Sequence, residues 1–69
     1  PARAIEAALA LEPGHAKALW LRASLEHEEH RYADALTTWR RLLAVVPAGS
    51  SDAKIIQSNI AEAARLAAG

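Results

Sequence analysis

Two prolines, Pro13 and Pro47, stand 34 positions apart, and each follows a helical pattern of apolar residues. Proline lacks the amide hydrogen that a helix needs, and its ring collides with the previous turn, so each proline ends the helix before it. The segments before the two prolines also align, since Ile5 falls at the position of Trp39. The chain therefore contains an internal repeat built from helices.

The spacing of the apolar residues predicts an all-α fold, because no stretch alternates with the period of two that a strand needs. The predicted helices cover about residues 2–12, 16–29, 32–46 and 51–67. The third helix carries one apolar stripe, composed of Ala35, Leu36, Trp39, Leu42, Leu43 and Val46. The second helix has a wider apolar surface, composed of Leu19, Trp20, Leu21, Ala23 and Leu25, so we expect it to contact neighbours on two sides.

The residues at the helix starts indicate how each one is capped. His15 or Ala16 opens the second helix after the turn at Pro13 and Gly14. Ser50 or Ser51 caps the fourth, because a hydroxyl oxygen there accepts a hydrogen bond from an unpaired backbone amide.

A period of 34 residues is that of tetratricopeptide (TPR) repeats. The chain resembles their A-x-x-x-F step at Ala35 and Trp39, and Ala23 occupies the slot of the TPR glycine, where two helices cross closely. Arg22 and Glu26 depart from the pattern, which has Leu and Tyr at their positions. These departures leave open how the upstream side of the second helix packs, including a shift of register by one residue.

The TPR resemblance makes residues 1–69 a single TPR-like domain. It consists of the second helix of a preceding repeat, one complete repeat over 16–49 and a capping helix over 50–69. Helical repeats bury their faces by stacking, and about three are usually needed for stability. The half repeat therefore predicts a homo-oligomer that associates through the first or the fourth helix.

Charge and length exclude several classes of partner. Eight basic and eight acidic residues are interspersed, so no basic patch for nucleic acid is expected. No apolar run approaches the roughly 18–20 residues of a membrane span, so we expect no membrane insertion. The chain contains no cysteine, which excludes disulfides without fixing a compartment.

No residue group has the arrangement of an active site, so we expect neither an enzyme nor a cofactor. The serines Ser24, Ser50, Ser51 and Ser58 lack a recognisable base and orienting acid. His27 and His30 stand at i and i+3 beside carboxylates, close enough to share a metal ion. Two ligands do not make a closed site, and a polar cluster at a helix end is usually solvated, so we expect no metal.

In a TPR the first helix of each hairpin lines the inner, concave surface. The residues expected there form a candidate peptide-binding groove: Lys17, Trp20, Leu21, Ser24, His27, Glu28, Ser51, Lys54, Ile55, Ser58 and Glu62. An aromatic residue with aliphatic neighbours and charges of both signs suits a peptide or an amphipathic helix. Two alternatives stay open, because Trp20 could instead pack against the preceding helix, and Lys17 and Lys54 could be plain solvated surface.

A closer resemblance follows from the runs at 12–21, 32–43 and 46–50 and from the helix containing Ile60 and Glu62. These segments are similar to the C-terminal TPR domain of c-type cytochrome biogenesis proteins of the CcmI/CycH type. The resemblance implies a periplasmic chaperone domain that holds the C-terminal helix of an apocytochrome c, although a cytoplasmic location stays open. The alternative function is a structural or engineered helical-repeat scaffold that self-associates and binds no ligand.

Overall fold

The computed structural model describes residues 2–69, which form four α-helices and no strand. The helices are α1 (Ala2–Leu11), α2 (Ala16–Glu28), α3 (Tyr32–Leu43) and α4 (Ser51–Ala68). Each helix packs against the next one in the chain, which gives a flat stack with Cα extents of 33 × 28 × 13 Å. The prediction of an all-α fold with four helices is confirmed.

The core runs through all four helices. Its buried apolar residues are Ile5, Leu9, Ala18, Leu19, Ala23, Ala35, Trp39, Leu42, Ile56 and Ala63. The predicted apolar stripe is confirmed, since its five residues on α3 and Val46, which follows that helix, are either buried or packed against this core. None of the four helices of residues 2–69 combines the length and the apolar character that crossing a bilayer requires.

The end of α3 differs from the prediction, which extended this helix to Val46. The helix ends at Leu43, and residues 44–46 form a turn in which the Val45 amide donates to the Leu42 carbonyl at 3.0 Å. A residue that precedes proline is driven out of the helical conformation by the proline ring. Pro47 therefore excludes Val46 from the helix, whereas the prediction had placed Val46 at its end. The other helix ends differ by one residue at most.

Two side chains cap helices at their amino ends. His15 Nδ1 accepts a hydrogen bond from the Ala18 amide at 3.2 Å, and Ser50 Oγ accepts one from the Ala53 amide at 3.1 Å. Of the predicted alternatives, Ala16 is the first residue of α2, with His15 as its cap, and Ser50 rather than Ser51 caps α4. Each satisfies an amide that has no carbonyl partner within its own helix.

A Schellman motif closes the carboxyl end of α2. The Arg31 amide donates to the Glu26 carbonyl at 2.8 Å, and the His30 amide donates to the His27 carbonyl at 3.0 Å. His30 has a φ of 61° there, in the left-handed region that normally favours glycine. The Arg31 side chain then donates to the Asp34 carboxylate, and this hydrogen bond and the negative charge raise the pKa of Arg31 above its ordinary value.

The two residues that depart from the TPR pattern belong to one polar network. Glu26 is only 5% exposed, and its Oε1 accepts a hydrogen bond from Thr38 Oγ1 at 2.6 Å. Arg22 Nε donates to Glu26 Oε2 at 3.4 Å, and Arg22 Nη1 lies 3.5 Å from Glu6 Oε1. The network thereby connects α1, α2 and α3. Ala23, which lies between Arg22 and Glu26 in the sequence, is fully buried.

Candidate binding surface on α2

Four residues of α2 form one stripe on its outer side. Lys17, Leu21, Ser24 and Glu28 follow one another at steps of four, three and four residues, which places them on the same face of the helix. We call this stripe the α2 crest. Leu21 is 45% exposed at its centre, and the exposed charges of Lys17 and Glu28 mark its two ends. The crest separates a cleft towards α1 from two clefts towards α4.

A cleft between α1 and α2 has a volume of about 480 Å³. Its lining is mostly apolar and consists of Ala4, Ile5, Ala8, His15, Lys17, Ala18, Leu21, Ser24, Leu25 and Glu28. We call it the α1–α2 cleft. Small alanines on both helices leave this space open, because a methyl group fills little of the gap between two helix axes.

Two further clefts lie between α2 and α4, and together we call them the α2–α4 valley. One, of about 290 Å³, is lined by Ala16, Lys17, Trp20, Leu21, Leu42, Val46 and Asp52. The other, of about 280 Å³, is lined by Trp20, Ser24, His27, Glu28, Trp39, Asn59 and Glu62. The first joins the starts of α2 and α4, and the second joins their later turns, so the two helices run parallel. Trp20 lines both clefts and stands at the centre of the valley.

Trp20 is held in place by the helix that follows it in the chain. Its ring meets that of Trp39 edge to face, with the ring centroids 5.4 Å apart and the planes at 90°. Such a contact contributes about 0.5–1.5 kcal/mol beyond the burial of area. The tryptophan thus packs on α3, and it remains half-buried, with part of the ring lining the valley.

The structure brings together seven of the eleven residues of the predicted groove. Those lining the α1–α2 cleft or the valley are Lys17, Trp20, Leu21, Ser24, His27, Glu28 and Glu62. The other four, Ser51, Lys54, Ile55 and Ser58, are exposed on α4 and line none of these three clefts.

The difference on α4 follows from how that helix is rotated. Ala53 and Ile56 are buried in the contact with α3, which turns Asp52, Asn59 and Glu62 towards α2. The sequence prediction missed Asp52 and Asn59. Asp52 lies four residues before the buried Ile56, and Asn59 lies three residues after it. This spacing places both beside the buried face of α4 and could have identified them from the sequence.

His27 in the last turn of α2 and His30 in the turn that follows it contact an aromatic ring. The Tyr32 ring lies 5.2 Å from His27, edge to face, and 5.6 Å from His30, nearly parallel. Across the described part of the chain, no three His, Cys, Asp or Glu side chains gather closely enough to hold a metal ion. The two imidazole rings instead pack against the Tyr32 ring at the turn between α2 and α3.

Comparison with known proteins identifies no relative: the chain has no significant match to a protein family, a characterised protein or a solved structure.

Proposed function

We propose that this chain is a TPR-type protein-binding module whose α2–α4 valley holds an amphipathic helix of a partner protein. The observation that carries the proposal is the position of Trp20, which lines both clefts of the valley and is only half-buried. Large aromatic residues at the centre of a surface are those that most often dominate binding energy. A helix lying in the valley would cover the free part of this ring.

The surroundings of Trp20 suit a helix with one apolar side. Leu21 and Val46 extend the apolar surface towards the start of α2, whereas His27, Glu28 and Glu62 make the far end polar. Lys17 beside the apolar end offers an ammonium group to a carboxylate of the ligand. The contact with Trp39 fixes the Trp20 ring before binding, which lowers the entropy lost when a ligand is held.

The family resemblance supplies the partner and the compartment of this proposal. The ligand would be the C-terminal helix of an apocytochrome c, and the module would act as a chaperone in periplasmic c-type cytochrome maturation. It would hold the helix without chemical change, since the valley lacks a nucleophile paired with a base. We expect weak binding, with a dissociation constant of about tens of micromolar, because the area falls below the roughly 1,200 Å² of a stable interface.

The test is a titration of a synthetic apocytochrome C-terminal helix into the Trp39→Phe variant. This variant leaves Trp20 as the single tryptophan and retains an aromatic ring beside it. We expect its fluorescence to change with the peptide. In calorimetry, the Trp20→Ala variant should bind about thirtyfold more weakly than the parent chain.

Ile55→Ala is the matched control, because Ile55 is 48% exposed yet lines neither cleft of the valley. Its affinity should equal that of the parent, and circular dichroism should show that each variant is folded. Absence of a fluorescence change at millimolar peptide, or equal affinity in Trp20→Ala, would refute the proposal.

A further inference from the structure

The α1–α2 cleft lies on the other side of the α2 crest from Trp20, so the proposed peptide would contact only the crest residues that the cleft shares with the valley. The walls of the cleft are apolar along most of their length, with Ile5 and Ala8 on one side and Ala18 and Leu25 on the other. Leu21 stands at its edge and remains 45% exposed. An apolar cleft of this size on so small a chain is a candidate contact surface.

The charges along the crest indicate what occupies the cleft. Lys17 lies in the first turn of α2 and Glu28 in the last, about 16 Å apart along the helix axis. Both are exposed, and within residues 2–69 neither forms an ion pair. The crest is therefore positive at one end, negative at the other, and carries Leu21 and Ser24 between them.

Because its two ends carry opposite charges, the crest is complementary to a second crest that runs in the opposite direction. If two crests meet antiparallel about a two-fold axis, Lys17 of each copy faces Glu28 of the other, and Leu21 faces Ser24. A two-fold contact makes each such pair twice, so both charges at both ends are matched. A parallel arrangement would instead place equal charges opposite each other. The charge pattern thus selects an antiparallel second copy as the occupant.

We propose that this chain forms a two-fold antiparallel dimer in which the α2 crest of each copy lies against the α1–α2 cleft of the other. Leu21 of each copy lies over Ser24 of the other, at the edge of its α1–α2 cleft beside Leu25, and the Lys17–Glu28 pairs close both ends. The opposite edge of the molecule is a poorer surface, because the outer side of α4 exposes Lys54, Ser58 and Arg65.

The expected strength of the dimer follows from its area. The chain exposes 4508 Å² in total. Because the proposed contact involves one helix edge and one cleft, we expect it to bury less than the roughly 1,200 Å² of a stable interface. Interfaces of that size are weak, so dissociation is expected in the micromolar range or above. This inference goes beyond the proposed peptide binding and needs no ligand.

Sedimentation equilibrium from micromolar to millimolar protein, at low salt and without peptide, tests the dimer. Lys17→Glu places two glutamates opposite each other at both ends, and Glu28→Lys does the same with lysines. Each single variant should weaken the dimer at least about tenfold. The double variant Lys17→Glu/Glu28→Lys restores opposite charges and should regain the parent affinity. An equal mixture of the two single variants should form a heterodimer tighter than either homodimer.

Lys54→Glu is the matched control, since it makes the same change of charge on α4, away from the crest. It should leave the dimer unchanged, and thermal melts should show that all variants are folded. A monomeric mass at every concentration, single variants that dimerise like the parent, or a mixture that forms no heterodimer would overturn the proposal. Failure here would leave peptide binding at Trp20 standing, because the charge variants do not alter that ring and no peptide is present.

Discussion

The contact between α2 and α3 is held by different interactions at its two ends. Towards the start of α2 it is apolar, with Leu19, Trp20, Trp39 and Leu42 in the core or packed against it. Towards the turn, the buried carboxylate of Glu26 accepts a hydrogen bond from the Thr38 hydroxyl at 2.6 Å. We refer to these as the apolar end and the polar end of the hairpin.

The difference shows how stability and register are divided along one helix pair. Apolar side chains contribute most of the free energy, but they tolerate small shifts, because hydrophobic contact has little directional preference. A hydrogen bond between two buried groups permits one alignment only, and its net contribution is smaller because both groups lose water. The polar end thus fixes which residues of α2 and α3 face each other, whereas the apolar end supplies most of the stability.

The largest effect is expected at the apolar end. Leu42 is fully buried, so Leu42→Ala should reduce the free energy of unfolding by about 2–5 kcal/mol, from lost burial and the cavity left behind. In so small a chain this approaches the whole stability, and we expect a largely unfolded far-ultraviolet circular dichroism spectrum at 25 °C. Leu11→Ala is the control, since Leu11 is 90% exposed. Equal melting temperatures for the two variants would contradict this account of the apolar end.

The second prediction concerns the junction of the two ends, where Ala23 is fully buried. Ala23→Phe should destabilise the fold by about 1–3 kcal/mol, because a large ring cannot enter a packed contact between helices without displacing them. The same change at the exposed Ala33 should have little effect on a thermal melt. A melt of Ala23→Phe that coincides with the parent would show that the helices do not approach closely here.

The third prediction tests the polar end by a double-mutant cycle. Thr38→Val keeps the shape of the side chain but leaves the buried Glu26 carboxylate without its shortest hydrogen bond, which should cost about 1–3 kcal/mol. Glu26→Leu combined with Thr38→Val removes both partners and should recover much of that loss. Urea denaturation of the parent, both single variants and the double gives the coupling energy. Purely additive effects would mean that this pair does not set the register.

The smallest effect is expected at the turn that closes the polar end. His30 adopts a left-handed backbone, which glycine reaches without steric conflict and alanine does not. His30→Gly should therefore exceed His30→Ala in stability by about 1 kcal/mol, or about 4–8 °C in melting temperature. Both variants lose the imidazole contact with Tyr32, so the difference between their melting temperatures reports the cost of the left-handed backbone alone. A higher melting temperature for the alanine variant would contradict the Schellman geometry.

Local patterns were sufficient to predict much of the fold. The three- and four-residue spacing on α3 identified Ala35, Trp39 and Leu42 as core, and all three are buried. The serine before α4 was expected to act as a cap, and Ser50 does so. These features depend on interactions within one helix or at its end, so neighbouring residues in the sequence determine them.

The candidate binding surface was predicted less completely. All six residues expected on α2 line clefts, because α2 has a cleft on either side of its crest. Of the five residues expected on α4, only Glu62 lines one of these clefts. The rotation of that helix depends on how Ile56 packs against α3, which the sequence does not specify. Helical spacing specifies which residues share a side, but it does not specify which neighbour that side meets.

The sequence by itself determined the number of helices, their approximate ranges and the apolar stripe of α3, because periodicity and proline act locally. Only the tertiary structure decided that Glu26 is buried, since a carboxylate can leave water only when a partner such as Thr38, twelve residues later, is brought within hydrogen-bonding distance. The same holds for the cleft beside Leu21, whose width depends on how closely α1 approaches α2. Both features arise from contacts between helices, and these contacts contribute to stability only once the helices have packed.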